Sequence, residues 1–423
     1  MKQYDSYKDS GVEWIGEVPS HWEVMKTSLA FHGIGSGTTP STSKKEFYDD
    51  NDGYYWLQTG DLNDGLINDT SKKITKLAIS QCNLKFYPID SIVIAMYGAT
   101  IGKVGILGIK TATNQACCVL PANKNMNFKF AFYEFLACKP ALLVSAIGGG
   151  QPNISQDVIR KQKIAIPPLL EQNIIATYLD KKCSEIDNVI SAQQKRIALL
   201  QELKQSVITH AVTKGLNPNV EMDATEEDWI NRLPASWGKA KLKYYIHLVN
   251  GRAYSQPELL SEGKYKVLRV GNFFTNDTWY YSNMELEEDK YCNNGDLLYA
   301  WSASFGPYIW NQDKTIYHYH IWKVCYKECM DKMYVYYLLK AITNFKLGDI
   351  HGSTMVHITM ESMNNSVIPI PSFDEQKDIA TFLDKKCASI DNALTKAQHQ
   401  VELLQKYKQR LITEVVTGKR KVC

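Results

Sequence analysis

Two long stretches of the chain place apolar residues on alternating three- and four-residue steps, the spacing of one face of an α-helix. The apolar positions of the two stretches are Ile186, Ile190, Ile197, Leu200, Val207, Ile390, Leu394, Val401, Leu404 and Leu411. Lys204 and Lys408 interrupt this stripe, whereas Leu199, Leu203 and Leu403 widen it. The pattern predicts two coiled-coil helices with an imperfect seam, each in contact with more than one neighbour.

The two stretches are copies of one another. From Ile166 the chain reads IPPLLEQNIIATYLDKKCSEIDN, and from Ile370 it reads IPSFDEQKDIATFLDKKCASIDN. The match continues without a gap, and about half of the aligned positions are identical, which indicates an internal duplication. Prolines predict a helix start in each copy, and Gly215 followed by Pro218 predicts the end of the first helix. A duplicated chain can offer two similar but independently varied surfaces to a two-sided target such as duplex DNA.

The regions that precede the two helices repeat in pattern more than in identity. WIGEVPSHW from Trp14 reappears as WINRLPASW from Trp229, and YWLQTGDL from Tyr55 resembles KVLRVGNF from Lys266. Tryptophans paired around a proline at matched places predict a structural corner in each copy, not a base-stacking surface.

Short β-branched and aromatic runs, such as Ser91–Met96 and Tyr317–Val324, alternate with Gly-, Asn- and Ser-rich turns and predict strands. The predicted fold class is therefore α+β, with two pseudo-repeated globular domains joined by two long helices that form an antiparallel coiled coil. The expected order is a first domain over 1–165, a first helix over 166–220, a second domain over 221–369 and a second helix over 370–423. The acidic run EMDATEED after the first helix is interpreted as a linker.

Composition leaves nucleic acid open as a partner without arguing for it. The chain of 423 residues has 48 Lys and Arg against 45 Asp and Glu, a formal net charge of only +3. A polar start and the lack of any long apolar run predict neither a signal peptide nor a transmembrane helix. The 10 cysteines form no CxxC pair, which predicts reduced thiols in a cytoplasmic protein and argues against a zinc site.

No catalytic constellation emerges from the motifs. GATIGK from Gly98 is one residue short of a phosphate-binding Walker A loop and lacks the following Ser/Thr, and GIGSG from Gly33 is not the dinucleotide fingerprint. The adenine-methyltransferase signature (D/N)PP(Y/F) is also missing. Four histidines without equivalents in the first copy are interpreted as satisfied polar or DNA-facing side chains rather than metal ligands: His318, His320, His351 and His357.

These features resemble the specificity (S) subunit of type I restriction–modification systems, the HsdS family. The resemblance rests on WIGEVPSHWEV near the start, on EQ-x-x-I-A-x-(Y/F)-L-D leading into each I-D-containing helix, and on AVTKGLNPN and VVTGKRKV at the helix ends. It spans essentially the whole chain, with both copies in order. It implies a non-catalytic DNA-binding subunit whose two target recognition domains each read one half of an asymmetric bipartite site, with the helices as spacer.

The resemblance also implies partners and cofactors. Two modification (M) subunits would dock on this chain and methylate adenine at N6 with S-adenosylmethionine. Restriction (R) subunits would join through the core of two M subunits and one S subunit, and would add ATP- and Mg-dependent translocation and cleavage. This chain would hold no cofactor of its own, and the expected location is the prokaryotic cytoplasm. The segment from Cys183 to Thr213 would be roughly 45 Å long as a helix, comparable to a DNA turn of about 34–36 Å.

Polar side chains on loops are the candidate DNA contacts, because Arg can bridge guanine O6 and N7 while Asn or Gln can bridge adenine N6 and N7. In the first domain the candidates are Ser36, Thr38, Thr39, Ser41, Lys44, Lys45, Gln151 and Asn153. In the second domain they are Arg252, Tyr254, Arg269, Ser302, Ser304, His351 and Thr354. No catalytic or metal-binding residue is predicted.

Three other hypotheses stay open from the sequence. In the first, the chain would be a self-contained nuclease or methyltransferase with a degenerate motif, which binding of S-adenosylmethionine to the isolated chain would reveal. In the second, it would be a scaffold that holds two copies of a partner without touching DNA, which salt-dependent DNA binding by the assembled complex would exclude. In the third, it would be an orphan or alternative S subunit that retargets a host methyltransferase.

Overall fold

The computed structural model describes residues 3–49, 51–146, 153–274, 276–348 and 358–422. The chain forms two units, one of residues 1–193 together with 399–423 and the other of residues 194–398. Each of the two long helices therefore begins in one unit and ends in the other.

The first unit contains two larger sheets and two two-stranded sheets. Its strands are β1 (Tyr7–Asp9), β2 (Glu17–Pro19), β3 (Glu23–Lys26), β4 (Gly35–Ser36), β5 (Tyr54–Leu57), β6 (Gly65–Ile67), β7 (Lys73–Ile74), β8 (Phe86–Tyr87), β9 (Ile92–Ala95), β10 (Val104–Leu107), β11 (Thr111–Thr113), β12 (Cys117–Leu120) and β13 (Lys163–Ile166). Its helices are α1 (Thr27–Ala30), α2 (Lys76–Cys82), α3 (Phe128–Val144), α4 (Gln156–Lys161) and the beginning of α5 (Leu169–Lys214).

In this unit five strands form a sheet in the order β4-β12-β9-β10-β6, in which β6 runs parallel to β10 and the other neighbours are antiparallel. A second sheet has the order β7-β5-β11-β8, with β5 parallel to β11. Every residue of β9, β10 and β12 is buried, which explains their continuous apolar sequences. Helix α3 packs on β9 and β10, and β13 pairs with β3 immediately before α5 begins.

The second unit repeats this plan. Its strands are β14 (Met222–Glu227), β15 (Ile230–Pro234), β16 (Gly238–Lys241), β17 (Ile246–Asn250), β18 (Tyr265–Leu268), β19 (Tyr280–Ser282), β20 (Tyr291–Cys292), β21 (Leu297–Ala300), β22 (Gly306–Ile309), β23 (Thr315–Tyr317), β24 (Ile321–Tyr326) and β25 (Val367–Ile370). Its helices are α6 (Lys332–Gly348), α7 (Met360–Asn364) and the beginning of α8 (Phe373–Val416). The sheet orders are β17-β24-β21-β22 and β19-β18-β23-β20, and β16 pairs with β25 as β3 does with β13.

Within the first unit, the beginning of α5 packs against the end of α8. Ile186 and Ile190 share one buried cluster with Leu411. The Lys408 ammonium lies 2.7 Å from the Asp187 carboxylate. The two segments run antiparallel, because Tyr178, earlier in α5, interacts with Arg420, beyond the end of α8.

Within the second unit, the end of α5 packs against the beginning of α8 in the same antiparallel sense. Ile208 and Val212 share a buried cluster with Ile379 and Leu383. The Lys204 ammonium lies 2.6 Å from a carboxylate oxygen of Asp391. The fold class is therefore confirmed: two mixed α/β domains are each followed by a long helix, and the two helices pack together.

All ten apolar residues of the predicted seam are buried or half-buried. The leucines that widen the stripe behave differently. Leu199, Leu203 and Leu403 are 55%, 46% and 51% exposed, so about half of each side chain remains open to solvent. Helix α5 does contact more than one neighbour, but through Ile175 and Leu179, which share a buried cluster with Phe130 of α3.

Two local predictions were wrong. The run Tyr317–Val324 is not one strand, because a loop at residues 318–320 separates β23 from β24. The acidic run after the first helix is not a linker: Met222–Glu227 forms β14 and pairs with β15. The end of α5 at Lys214 is as predicted, and Gly215 follows in the left-handed region with a φ of 73°. Among the described helices, none is both long and apolar enough to cross a membrane.

Candidate nucleic-acid interface

A Glu–Gln pair at the start of each long helix fastens the helix to its domain. Glu171 accepts a hydrogen bond from the indole N–H of Trp22 at 3.0 Å, and Glu375 accepts one from Trp237 at 2.8 Å. Both indoles are buried, so these tryptophans close a structural corner as predicted.

The glutamine of each pair is almost fully buried and holds a neighbouring loop. Gln172 accepts a hydrogen bond from the backbone N–H of Asn127 at 2.8 Å and donates to the Pro167 carbonyl at 2.9 Å. Gln376 makes the two equivalent bonds at 2.8 and 3.1 Å. Because buried amides need such partners, the motif is explained by internal contacts, and each domain is fixed on its helix in the same way.

Four loops of the first unit are tied together by backbone hydrogen bonds. We call them the first loop cluster: residues 37–45, 58–61, 96–103 and 114–116. The N–H of Thr38 donates to the Thr113 carbonyl at 3.0 Å, and the N–H of Asn114 donates to the Leu57 carbonyl at 2.9 Å. Met96 donates at 2.8 Å to the carbonyl of Ala116 in the 114–116 loop. These four loops are therefore held beside one another.

The second unit ties its corresponding loops together with the same bonds. This second loop cluster consists of residues 251–258, 269–273, 301–305 and 318–320. The N–H of Arg252 donates to the Tyr317 carbonyl at 3.1 Å, and the N–H of His318 donates to the Leu268 carbonyl at 2.9 Å. Trp301 donates at 3.2 Å to the carbonyl of His320. The backbone frame is thus common to both units, although the side chains it carries differ.

In each cluster a glycine lets the first loop pass closely over the end of a strand, β11 in the first cluster and β23 in the second. A Cβ on Gly37 would lie 1.7 Å from the Thr113 carbonyl oxygen, and one on Gly251 would lie 2.4 Å from the His318 carbonyl oxygen. No side chain fits at either place, so the crossing depends on glycine.

The candidates of the first domain fall mostly in the first loop cluster. Thr39 is exposed and its hydroxyl donates to the amide oxygen of Gln115, while Ser41 bonds to Ser43 at 2.8 Å. Lys44 and Lys45 are exposed. Thr38 is exposed, and its backbone N–H joins it to the cluster through the bond to Thr113.

Two other candidates of this domain have backbone roles. Ser36 lies in β4, and its carbonyl accepts a hydrogen bond from Tyr87 at 3.3 Å. Asn153 is exposed and forms a β-bridge with Tyr97. Gln151 lies outside the described residues, as do His351 and Thr354 of the second domain.

In the second loop cluster Arg252 is committed to neighbours. Its guanidinium donates to Glu258 at 2.6 Å, lies over the ring of Tyr254 at 5.1 Å, and contacts the sulfur of Met284 at 3.2 Å. The hydrogen bond from Arg252 and those from Ser255 lower the pKa of Glu258 to about 2. Tyr254 stacks on His318. Arg252 is therefore part of the frame of the loop.

The remaining candidates of this domain lie in two neighbouring loops. Ser302 and Ser304 flank Ala303, whose φ is 64°, and the N–H of Ser304 donates to the Ser302 carbonyl at 2.7 Å. Arg269 is exposed, and its guanidinium lies 5.4 Å from the ring centre of Tyr280.

Aromatic rings distinguish the second cluster from the first. Trp301, Tyr319 and His320 pack at ring distances of 4.0 to 6.0 Å, and His318 lies 4.8 Å from His320. Burial, with His320 and Arg269 nearby, lowers the pKa of His318 to about 4, so this ring is neutral at pH 7. Among the described residues, no group of three His, Cys, Asp or Glu side chains could hold a metal ion.

Sequence reasoning did not single out Gln58 or Gln115, which belong to the first loop cluster. Gln58 stands where Arg269 stands in the aligned motifs YWLQTGDL and KVLRVGNF. Because Arg269 was a candidate DNA contact, this alignment could have indicated Gln58 as a candidate too. Gln115 carries no local signal, because its position beside Thr39 depends on a contact between residues far apart in sequence.

Comparison with known proteins gives a single result. Residues 19–199 and 234–404 match the family model described as type I restriction modification DNA specificity domain. The MjaVIII type I restriction enzyme specificity subunit of Methanocaldococcus jannaschii is 26% identical, over 96% of this chain and 94% of that protein. The EcoR124I/EcoR124II specificity subunit of Escherichia coli is 25% identical, over 48% of this chain and 50% of that protein.

Solved structures share the fold. A chain from a structure on complex assembly and conformational transition of the type I R-M system superposes with a TM-score of 0.73 at 15% identity, covering 94% of this chain and 98% of that one. The HsdS subunit of Thermoanaerobacter tengcongensis superposes with a TM-score of 0.51 at 16% identity, covering 95% and 98%.

Proposed function

Since the chain belongs to the type I restriction–modification DNA specificity family, as a non-catalytic specificity subunit, we propose that it directs its complex to an asymmetric bipartite DNA site. Each loop cluster reads one half-site, and the paired helices set the spacer between the halves. The proposed recognition domains are residues 1–165 and 221–369, and the proposed spacer helices are 166–220 and 370–423.

The two loop clusters are the observation that carries this proposal. Each has the same backbone frame, exposed polar side chains and a glycine crossing, yet the side chains differ between the units. A common frame with different side chains is what two readers of different base sequences require, because base edges are distinguished by the donors and acceptors presented to them. The candidate residues of both clusters are proposed as the base and phosphate contacts, except Arg252, whose guanidinium is held by Glu258.

Single-molecule methylation sequencing tests the proposal directly. DNA from cells that co-express this chain with its cognate modification subunit should carry methylated adenines in one split, asymmetric motif. The motif should disappear when this chain is deleted. Unchanged methylation on deletion, with the complex confirmed intact, would contradict the proposal. If a different split motif stayed methylated after the deletion, this chain would be an alternative specificity subunit beside another one.

Two modification subunits are the proposed partners, and they would bind the S-adenosylmethionine. Restriction subunits would join the core formed by this chain and the two modification subunits, and they would supply the ATP- and Mg-dependent activity. Two matched positions support the docking sites. Leu199 of α5 and Leu403 of α8 are equivalent in the duplication and are 55% and 51% exposed. One turn further on, Leu203 and Tyr407 are also equivalent and are 46% and 48% exposed. Large apolar side chains exposed at matched places suit two copies of one partner.

Substitution of the matched leucines tests this docking. Leu199→Ser and Leu403→Ser should each weaken the binding of one modification subunit, and the double variant should weaken both. Native mass spectrometry of the assembled complex gives the stoichiometry. The folded chain should change in stability by less than about 0.5 kcal/mol, because both side chains are exposed. Leu66→Ser, which alters a leucine 54% exposed on β6, is the control that should keep two subunits bound.

A further inference from the structure

One position of the shared backbone frame carries a different long polar side chain in each unit, Gln58 or Arg269. Gln58 follows β5 and Arg269 follows β18, and both stand at the start of a single 3-10 turn. The backbone N–H of Gln58 donates to the carboxylate of Asp61 at 2.8 Å. The backbone N–H of Arg269 donates to the amide oxygen of Asn272 at 3.1 Å. The main chain is therefore fixed in the same way by the residue three positions later.

This position also lies inside the loop cluster in each unit. The carbonyl of the preceding leucine, Leu57 or Leu268, accepts the hydrogen bond from Asn114 or His318 that joins the clusters. The residue that follows therefore stands beside the end of β11 or β23, and its side chain is half-buried at Gln58 and exposed at Arg269. A fixed main chain with a variable, displayed side chain is the arrangement of a specificity-determining residue.

The two proposed recognition domains also differ in the number of their arginines and in what those arginines contact. Residues 1–165 contain one arginine, Arg160, and its guanidinium donates to the carbonyl of Ile34. Residues 221–369 contain three. Arg232 donates to the Met222 carbonyl at 3.1 Å, and Arg252 is paired with Glu258 as described above.

Arg269 is the remaining arginine. It is exposed, and within the described residues its guanidinium has the Tyr280 ring below it but no hydrogen-bonding acceptor. Its donors are consequently available to an acceptor outside the chain. Paired acceptors on one base edge, guanine O6 and N7, match a guanidinium, whereas adenine N7 and N6 match an amide.

We propose that this position sets the base identity at one place in each half-site, with Arg269 reading a guanine and Gln58 reading an adenine. The inference rests on the proposed function and adds the residue and the base to it. It assigns the guanine contact to Arg269 and not to Arg252, whose guanidinium is held by Glu258 inside the loop.

The test uses the whole complex and a library of duplexes randomised in both half-sites, with adenine methylation as the readout. Arg269→Ala should lower the preference for guanine at one position of one half-site by roughly 5- to 150-fold, the discrimination of one bidentate contact. Gln58→Ala should relax one A·T position in the other half-site. Arg269→Gln should move the preference at its position from guanine toward adenine.

A matched control and a stability check keep the result interpretable. Arg232→Ala removes the same charge from the same unit and should leave both half-sites unchanged. Thermal melting should show that Arg269→Gln, which keeps an extended polar side chain, folds as the parent does. Unchanged guanine preference in Arg269→Ala, or an effect of both variants in one half-site, would overturn the inference while leaving the proposed function intact. A parent complex that methylates no split motif would instead remove the proposed function and the inference together.

Discussion

A buried carboxylic acid marks the clearest difference between the cores of the two units. Glu134 lies in α3 and is fully buried, and its Oε1 accepts a hydrogen bond from the backbone N–H of Ala165 at 2.8 Å. The equivalent residues of the second unit are Leu338 and Pro369. A proline has no N–H to satisfy, so an apolar side chain suffices there. The two substitutions therefore form a pair, with each unit meeting the same requirement in its own way.

Exchange of the pair should reveal this coupling. Glu134→Leu leaves the Ala165 N–H buried without an acceptor and should lower the free energy of unfolding by about 1–3 kcal/mol. Adding Ala165→Pro removes that donor and should recover most of the loss. Denaturant unfolding of the four variants of a double-mutant cycle measures the coupling. Additive losses would mean that the two residues act independently.

The same carboxyl group makes the stability of the first unit depend on pH. Burial raises the pKa of Glu134 to about 8, from an ordinary value of 4.5. A group whose pKa is higher in the folded state contributes its full stability below the unfolded value and loses it as pH rises through the folded value. The parent should therefore lose stability between about pH 5 and pH 8 relative to Glu134→Gln, which cannot ionise. Denaturant unfolding of both proteins across this range checks the sign, and parallel curves would contradict it.

The two long helices are joined by ion pairs as well as by apolar contacts, and the lysines of these pairs are the residues that interrupt the apolar stripe in the sequence. Lys204 and Lys408 interrupt the apolar seam, yet each reaches an aspartate on the facing helix, Asp391 or Asp187. Both aspartates belong to the repeated I-D motif. An ion pair in a helix interface costs little when partly exposed, and it can favour one register over its alternatives.

Charge reversal tests this function of the pairs. Lys408→Asp should destabilise the protein by placing a second carboxylate beside Asp187, and the double variant Lys408→Asp with Asp187→Lys should restore most of the loss. The expected difference between single and double variants is about 1 kcal/mol, since the pair is partly exposed. Thermal melting of each variant is the measurement. No recovery in the double variant would show that the aliphatic stem of Lys408, not its charge, matters at this place.

The helices and their seam could be predicted from sequence because the signal is local and appears twice. Ile186 and Ile390 follow the periodicity, and Gly215 ends α5 as its sequence indicated. The loop clusters were predicted only as regions. The commitment of Arg252 to Glu258, and the place of Gln115 beside Thr39, depend on contacts that no spacing rule contains.

At the scale of the whole molecule, the continuity of the two helices connects the units along the chain. Helix α5 has 46 residues and α8 has 44, and each passes from one unit into the other. Under the proposed function, helix length is then a variable separate from the loop clusters. Spacing and base identity should respond to different substitutions.

Lengthening the helices tests this separation. One heptad inserted after residue 193 in α5 and another after residue 397 in α8 adds about 10.5 Å to each helix while keeping the antiparallel seam in phase. The spacer of the methylated motif should grow by about three base pairs, since each base pair adds about 3.4 Å along the duplex axis. Both half-sites should stay the same. Methylation sequencing of the parent and the lengthened chain gives both quantities. Altered half-sites would contradict the separation.

The turn that fixes Gln58 and Arg269 has an evolutionary consequence. Because the main chain is fixed by Asp61 or Asn272 and not by the displayed side chain, substitutions at the display position carry little risk of unfolding the domain. Mutation can then explore new target sequences one base at a time without first acquiring a compensating change. Glycine crossings and buried glutamines are under the opposite constraint, so descendants of this chain should diversify at the display positions while keeping the frame.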